Sequence, residues 1–210
     1  GAFVQTPAGN FLHTGDFKLD QSPVDGVRTD CAAMARFSQM GVDLLMSDST
    51  NADTQSFTRS ESEVGKTLED LIRHAEGRVT VAAFASHIHR IQQVCDAAVK
   101  NGRKVVVTGR SMVQNTDIAR RLGYLQISED NLIDAFDLKS IPSEKVVILC
   151  TGSQGEPLSA LARISNSEHR TISIEPGDTV IISATPVPGN EKAVTRIINN
   201  LSRAGVDVYD

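Results

Sequence analysis

Residues 79–108 read VTVAAFASHIHRIQQVCDAAVKNGRKVVVT, and this stretch decides the fold. An apolar run at 79–84 predicts a strand, and a second run rich in valine at 104–108 predicts another. Between them, residues 89–100 carry apolar side chains at helical spacing, namely Ile91, Val94, Cys95 and Ala98. The order strand, helix, strand predicts two parallel strands joined by a right-handed crossover.

The same alternation continues to the end of the chain. Further strands are predicted at 146–150, 180–184 and 206–208, and helices at 111–122, 158–164 and 189–204. The weaker stretch 124–139 predicts one short strand and one short helix, and Ser60 with Glu63 has the capping-box spacing for a helix to about Ala75. The predicted fold class is therefore α/β, with an open, mainly parallel sheet flanked by helices. With aromatic residues at only 4%, its core must consist of aliphatic side chains.

The first fifty residues follow a different pattern. Residues 2–5 and 11–14 predict a hairpin around a Pro-Ala-Gly-Asn turn, residues 29–40 a helix, and the apolar run 42–46 a buried strand that ends in a polar loop. A chain that opens directly on a strand is expected to be a piece of a longer protein.

Composition limits the function classes. A net charge of −5 argues against nucleic-acid binding over the whole surface but leaves room for a local basic channel. The three cysteines have wide, irregular spacing, which favours free thiols over a disulfide framework or a structural zinc site. No signal-peptide pattern is present, and no apolar run reaches the roughly 18 residues of a membrane span. We expect a soluble, cytoplasmic protein.

Polar segments follow the predicted strands. They lie at 47–51, 85–90, 108–110, 151–156 and 185–190, where the carboxyl ends of parallel strands bind ligands. Among them, the glycine-rich loop 151–157 allows close approach of an anion and precedes a helix expected to present free amides. A generic glycine-rich turn explains the loop equally well. Arg110 suits either a phosphate contact or a solvated helix start.

Two aspartates also allow more than one interpretation. Asp16 follows a glycine, and Gly-Asp pairs usually form turns, so the pair by itself is weak support for metal binding. Asp48 follows a predicted strand, where an N-cap or Asx turn is the simpler interpretation.

Four ordered motifs resemble a known family. They read HTGDFK at 13–18, SDSTN at 47–51, FAS at 84–86 followed by IHRIQ at 88–92, and TGSQGEP at 151–157. Together they are similar to the successive segments of bacterial ribonuclease J, a member of the beta-CASP group of metallo-beta-lactamase-fold nucleases. The resemblance covers nearly the whole chain.

The resemblance implies roles for particular residues. Asp16 matches the carboxylate that bridges two catalytic zinc ions, and Asp48 matches the first acidic motif near that metal centre. Contacts with RNA or phosphate are implied for Ser86, His89, Arg90, Gly152, Ser153 and Gln154. The family usually has asparagine where this chain has His87, so His87 is not an inherited ligand.

The resemblance also implies an organisation and an activity. Residues 1–51 match part of a metallo-beta-lactamase domain, and residues 52–210 match the beta-CASP domain. The intact protein is expected to hydrolyse RNA phosphodiesters in RNA processing, including that of rRNA, and in decay, as both a 5′-to-3′ exonuclease and an endonuclease. It is also expected to form a homodimer or homotetramer.

The remaining zinc ligands of the family lie upstream of Asp16 and downstream of Asp210. The 210-residue chain is therefore expected to position RNA, to bind no zinc ion tightly and to be inactive alone. Two alternatives stay open on the residues themselves. One is a non-catalytic module that binds RNA or nucleotides, and the other is an unrelated doubly wound enzyme with a phosphate-bearing ligand.

Overall fold

The structure is a computed structural model that describes residues 1–50, 52–53, 55 and 57–210. The chain forms two compact units, Gly1–Val64 and Gly65–Asp210. The units divide within helix α2 (Glu61–His74). The domain boundary expected between residues 51 and 52 stays a prediction, and Asn51 itself lies outside the described residues.

The first unit contains a small sheet and one helix. Strands β1 (Ala2–Thr6) and β2 (Gly9–His13) form the predicted antiparallel hairpin, and β3 (Leu44–Met46) pairs in parallel with β2. Helix α1 (Cys31–Gln39) begins where the Asp30 side chain accepts a hydrogen bond from Ala33 N at 2.8 Å. The predicted hairpin and helix are confirmed here.

The prediction of a buried strand at 42–46 is wrong. Strand β3 is shorter, and Leu44, Leu45 and Met46 are 55%, 58% and 37% exposed. An apolar run is buried only when a second layer covers it, and α1 contributes no buried residue to this unit. The run is therefore correctly identified as a strand but not as part of a core.

The second unit is built on a six-stranded parallel sheet in the order β6-β5-β7-β4-β8-β9. Its strands are β4 (Val79–Ala82), β5 (Lys104–Thr108), β6 (Leu132–Ile133), β7 (Val146–Cys150), β8 (Thr179–Ile182) and β9 (Asp207–Tyr209). Its helices after α2 are α3 (Ile88–Lys100), α4 (Arg110–Arg121), α5 (Ala160–Ser165) and α6 (Glu191–Arg203). Short 3-10 turns occupy Glu129–Asn131, Asp137–Ser140 and Ser143–Lys145. The predicted α/β fold is confirmed.

The core lies on both faces of this sheet. Strands β4 and β7 are buried along their whole length. Helices α3 and α4 pack on one face, and α5 and α6 cover the other, where Leu161, Ile164, Val194, Ile197 and Leu201 are buried against the strands. Each such aliphatic side chain stabilises the fold by about 1.5–3 kcal/mol on burial.

The arrangement of the helices opens a crevice. Neighbouring strands β5 and β7 continue into helices on opposite faces, α4 and α5. At such a point the two connections diverge, and the space between them is where parallel α/β sheets bind ligands. None of the helices in the described ranges is long and apolar enough to span a membrane.

Candidate functional site

Asp16 and Asp48 follow the neighbouring parallel strands β2 and β3. Two hydrogen bonds join the strand ends, from Thr14 N to Met46 O and from Asp48 N to Thr14 Oγ1, both 3.0 Å. Since parallel strands end at the same edge of a sheet, the two aspartate segments lie side by side in the first unit.

The Asp48 carboxylate already has partners within the chain. Its Oδ1 accepts hydrogen bonds from Thr50 N at 3.0 Å and from Thr50 Oγ1 at 2.8 Å. Both bonds lower the pKa of Asp48 below its ordinary value, and the bond from the Thr50 backbone N–H has the larger effect. The residue therefore forms the Asx turn that its position after a strand indicates, and it stays ionised at neutral pH.

These residues do not make a zinc site by themselves. A zinc ion takes about four ligands, of which at least three come from the protein even in catalytic sites. Across the described ranges, no group of three or more histidine, cysteine, aspartate or glutamate side chains is placed to hold a metal ion. Asp16 is exposed, and His13 Nδ1 accepts a hydrogen bond from Gly15 N at 2.9 Å. Asp16 thus stays a predicted single ligand.

In the second unit, Ser86 lies in the loop after β4, and His89 and Arg90 lie in the first turn of α3. Ser86 and His89 are exposed around the start of α3, where His87 occupies the N-cap position and its side chain does not cap the helix. The Arg90 guanidinium is half-buried and donates from Nη1 to Ser183 O at 2.8 Å and to Ser183 Oγ at 2.6 Å. Arg90 therefore fastens the first turn of α3 to the end of β8.

Gly152 has a conformation that requires glycine. Its φ is +116°, and a Cβ atom there would overlap the Ser159 side chain and lie 2.8 Å from Leu161 Cβ. The loop after β7 thus passes directly against the start of α5, and the glycine allows close backbone packing within the protein.

Ser153 and Gln154 are buried, with exposed fractions of 2% and 5%. The Gln154 amide donates from Nε2 to Thr185 O at 3.1 Å, while its Oε1 accepts from Val187 N at 2.7 Å and from Asn190 Nδ2 at 3.3 Å. Gln154 thereby ties the loop after β7 to the loop after β8. The predicted RNA contact by this side chain is untested, and its geometry is that of a positioning residue.

The expectation that the helix after this loop presents free amides is wrong. The N–H groups of Ala160 and Leu161 donate to Oγ1 and O of Thr151, at 3.3 and 3.0 Å. Ala162 N donates to Oγ of the N-cap residue Ser159 at 3.3 Å. The loop satisfies its own helix because Thr151 and Ser159 supply acceptors at both sides of the first turn.

A cleft of about 670 Å³ opens instead between the ends of β5 and β7. Arg110 and Ser111 line it from the start of α4, and Arg163 and His169 line it from α5 and the segment after it. The sequence motifs do not indicate His169, because it meets the strand end only through the fold: its Nε2 lies 3.2 Å from Thr108 Oγ1, across 61 residues.

Both ring nitrogens of His169 have partners. Its Nδ1 accepts from Ile172 N at 3.2 Å, which leaves Nε2 as the protonated atom facing Thr108. Burial, together with the charge of Arg163, lowers the pKa of His169 below its ordinary value. His169 is therefore neutral near pH 7 and holds its segment against the end of β5.

Residues 76–201, most of the second unit, match the family described as ribonuclease J, beta-CASP domain. The chain belongs to the ribonuclease J family. The match includes Ser86, His89, Arg90, Gly152, Ser153 and Gln154 but not Asp16 or Asp48.

Relatives named Ribonuclease J extend the similarity to the first unit. The protein from Mycolicibacterium smegmatis is 51% identical over 205 residues, which cover 98% of this chain and 37% of the relative. The one from Thermus thermophilus is 49% identical over 208 residues, or 99% of this chain and 36% of the relative. The Helicobacter pylori protein (strain J99) is 46% identical over 198 residues, which cover 94% of this chain and 29% of the relative. The chain thus spans roughly a third of the length of these family members.

Proposed function

We propose that this chain is the RNA-positioning part of a ribonuclease that hydrolyses RNA phosphodiester bonds. The observation that carries the proposal is the family match over residues 76–201, which coincides with the parallel sheet and its polar carboxyl edge. Relatives called Ribonuclease J that are about half identical in sequence support the substrate class.

The geometry suits a surface that holds a strand in a fixed path. Arg90 joins the first turn of α3 to the end of β8, and Gln154 joins the loops after β7 and β8, through hydrogen bonds of 2.6–3.3 Å. Loops held in this way lose little conformational freedom when a ligand binds, which favours precise placement of a phosphate near a reacting group. We assign Ser86 and His89, which are exposed at this edge, to direct contact with RNA.

The finer features of the activity are proposals for the full-length protein. They are cleavage both from the 5′ end and internally, dependence on two zinc ions with Asp16 as one ligand, assembly into dimers or tetramers, and a cytoplasmic location. Support for the cleavage modes and the assembly comes from the family resemblance as a whole, and the location follows from the sequence expectation. For the zinc ions there is also the placement of Asp16 and Asp48 after neighbouring strands.

The first prediction is that the 210-residue chain binds single-stranded RNA without cleaving it. Fluorescence anisotropy with a labelled oligo(A) of about 12 nucleotides measures binding, expected to weaken steeply as salt rises. Denaturing gels of the same RNA, incubated with added zinc, measure cleavage. Absence of binding at about 50 mM salt contradicts the proposed function. Zinc-dependent cleavage by this chain contradicts its assignment as a positioning part.

The second prediction concerns zinc. Because Asp16 offers one carboxylate and the described residues hold no three-ligand cluster, the chain is expected to release zinc to a chelating indicator. Equilibrium dialysis followed by metal analysis measures the retained zinc, with Asp16→Asn as the matched variant. One zinc ion per chain, retained by the parent and lost in Asp16→Asn, would assign a complete site to this chain.

A further inference from the structure

The cleft between β5 and β7 carries two arginines that form no ion pair with any residue the structure describes. Arg110 is the first residue of α4, Arg163 lies in α5, and both are exposed and line the same cleft. Among the described residues, neither guanidinium takes part in an ion pair. Two like charges that share a cleft repel each other unless an anion lies between them.

We propose that this cleft binds a phosphate group of the RNA strand, held by the guanidinium groups of Arg110 and Arg163. The inference rests on the proposed function and specifies where at the sheet edge the RNA backbone binds. Guanidinium groups present planar sets of N–H donors that match the oxygens of a phosphate. Ser111 also lines the cleft, and its hydroxyl group is a further hydrogen-bond donor.

The start of α4 adds to the positive character of the cleft. Its N-cap residue is Gly109, with φ +93°, which has no side chain to accept from the first N–H groups of the helix. A Cβ atom at Gly109 would lie 2.5 Å from Thr151 Oγ1, so the close packing of the two loops excludes a capping side chain. Since Gly109, Arg110 and Ser111 line the cleft, the positive end of the α4 dipole lies at the cleft.

The other charged and titratable groups of the cleft are consistent with this assignment. Glu156 is the one carboxylate in its lining, and its Oε2 accepts from Gln154 N at 3.2 Å, within its own loop. His169 has hydrogen-bond partners at both ring nitrogens, so it is a positioning residue and not a phosphate ligand. The lining therefore carries two positive charges against one negative charge.

The size of the cleft allows more than one source of phosphate. Its volume of about 670 Å³ lies in the range of small-ligand pockets, so a mononucleotide also fits. Strand order favours RNA, because β5 and β7 are followed in the sheet by β4, and the chain after β4 carries Ser86 in its loop and His89 in the first turn of α3. An RNA strand that runs along this edge of the sheet therefore reaches both the two arginines of the cleft and the residues Ser86 and His89.

The third prediction tests this site with the double variant Arg110→Gln/Arg163→Gln. The matched control is Lys145→Gln/Arg203→Gln, which removes two exposed positive charges at the opposite edge of the sheet, before β7 and at the end of α6. Binding of oligo(A) is measured between about 50 and 200 mM salt. We expect the cleft variant to bind RNA about tenfold more weakly than the parent. The slope of log K against log salt is expected to be less steep by about 1.4, which is about 0.7 for each lost phosphate contact. The control is expected to keep the slope of the parent.

The outcomes separate this inference from the function on which it rests. If the parent chain binds no RNA, the proposed function fails. If the parent binds and the cleft variant retains its affinity and slope, the cleft assignment fails while RNA binding stands. An AMP titration is the third arm: AMP binding that the cleft variant loses, with RNA affinity unchanged, assigns the cleft to free nucleotides and overturns the proposal. Circular dichroism confirms that each variant is folded, as expected for exposed residues.

Discussion

Replacing Gly152 by alanine is expected to destabilise the second unit by about 3 kcal/mol or more, because two separate costs combine at this position. The first is conformational, since φ of +116° is unfavourable for any residue with a side chain. The second is steric, since the new methyl group would overlap Ser159 and lie 2.8 Å from Leu161 Cβ. Both neighbours belong to the buried start of α5, so neither can move without loss of packing.

Gly123→Ala is the matched control for Gly152→Ala. Gly123 has φ +78° but no atom within 4 Å of its Cβ position, so alanine there meets only the conformational cost, about 1–2 kcal/mol. Urea denaturation followed by circular dichroism gives the free energy of unfolding for both variants. Equal losses at the two positions would contradict the close packing of the loop against α5.

Much of the fold follows from the sequence. The sequence predicts strands at residues 104–108 and 146–150 with the bounds that the structure gives, because runs of β-branched residues are bounded there by glycine and polar residues. The order of the strands does not follow in the same way. Residues 79–108 form the predicted strand, helix and strand, yet β7 lies between β4 and β5. Pairing of a strand with a partner some 40 residues along the chain depends on tertiary packing, which a local pattern does not contain.

The sequence predicts the candidate site less completely, for a physical reason. Motifs identify loops by their residue types, but the role of each side chain depends on the neighbours that the fold supplies. Gln154 lies in the most recognisable motif and is buried against a loop 31–36 residues further on. Arg163 and His169 lie outside every motif, yet they line the cleft next to Arg110. Contacts of this kind join distant residues and leave no pattern in the local sequence.

Gln154→Ala is expected to destabilise the second unit by about 2–4 kcal/mol and to weaken RNA binding through the loop 184–190. The variant removes the three hydrogen bonds to Thr185, Val187 and Asn190 and leaves a cavity at a residue only 5% exposed. Without these bonds the loop after β8 loses its attachment to the loop after β7. Gln154→Glu keeps the acceptors for Val187 N and Asn190 Nδ2 but buries a carboxylate and places one of its oxygens against Thr185 O, so this variant is also expected to be destabilised.

Hydrogen exchange distinguishes this positioning role from direct contact with RNA. A positioning role predicts faster exchange of the Val187 amide in Gln154→Ala without RNA, since that N–H donates to Gln154 Oε1 at 2.7 Å. The exposed Gln126, whose side chain makes none of these contacts, provides the control variant Gln126→Ala. If Gln154 contacted RNA directly and did nothing else, Gln154→Ala would lower RNA affinity while stability and the exchange of Val187 stayed at the values of the parent. Loss of affinity together with faster exchange would show that Gln154 acts on RNA through the loop that it holds.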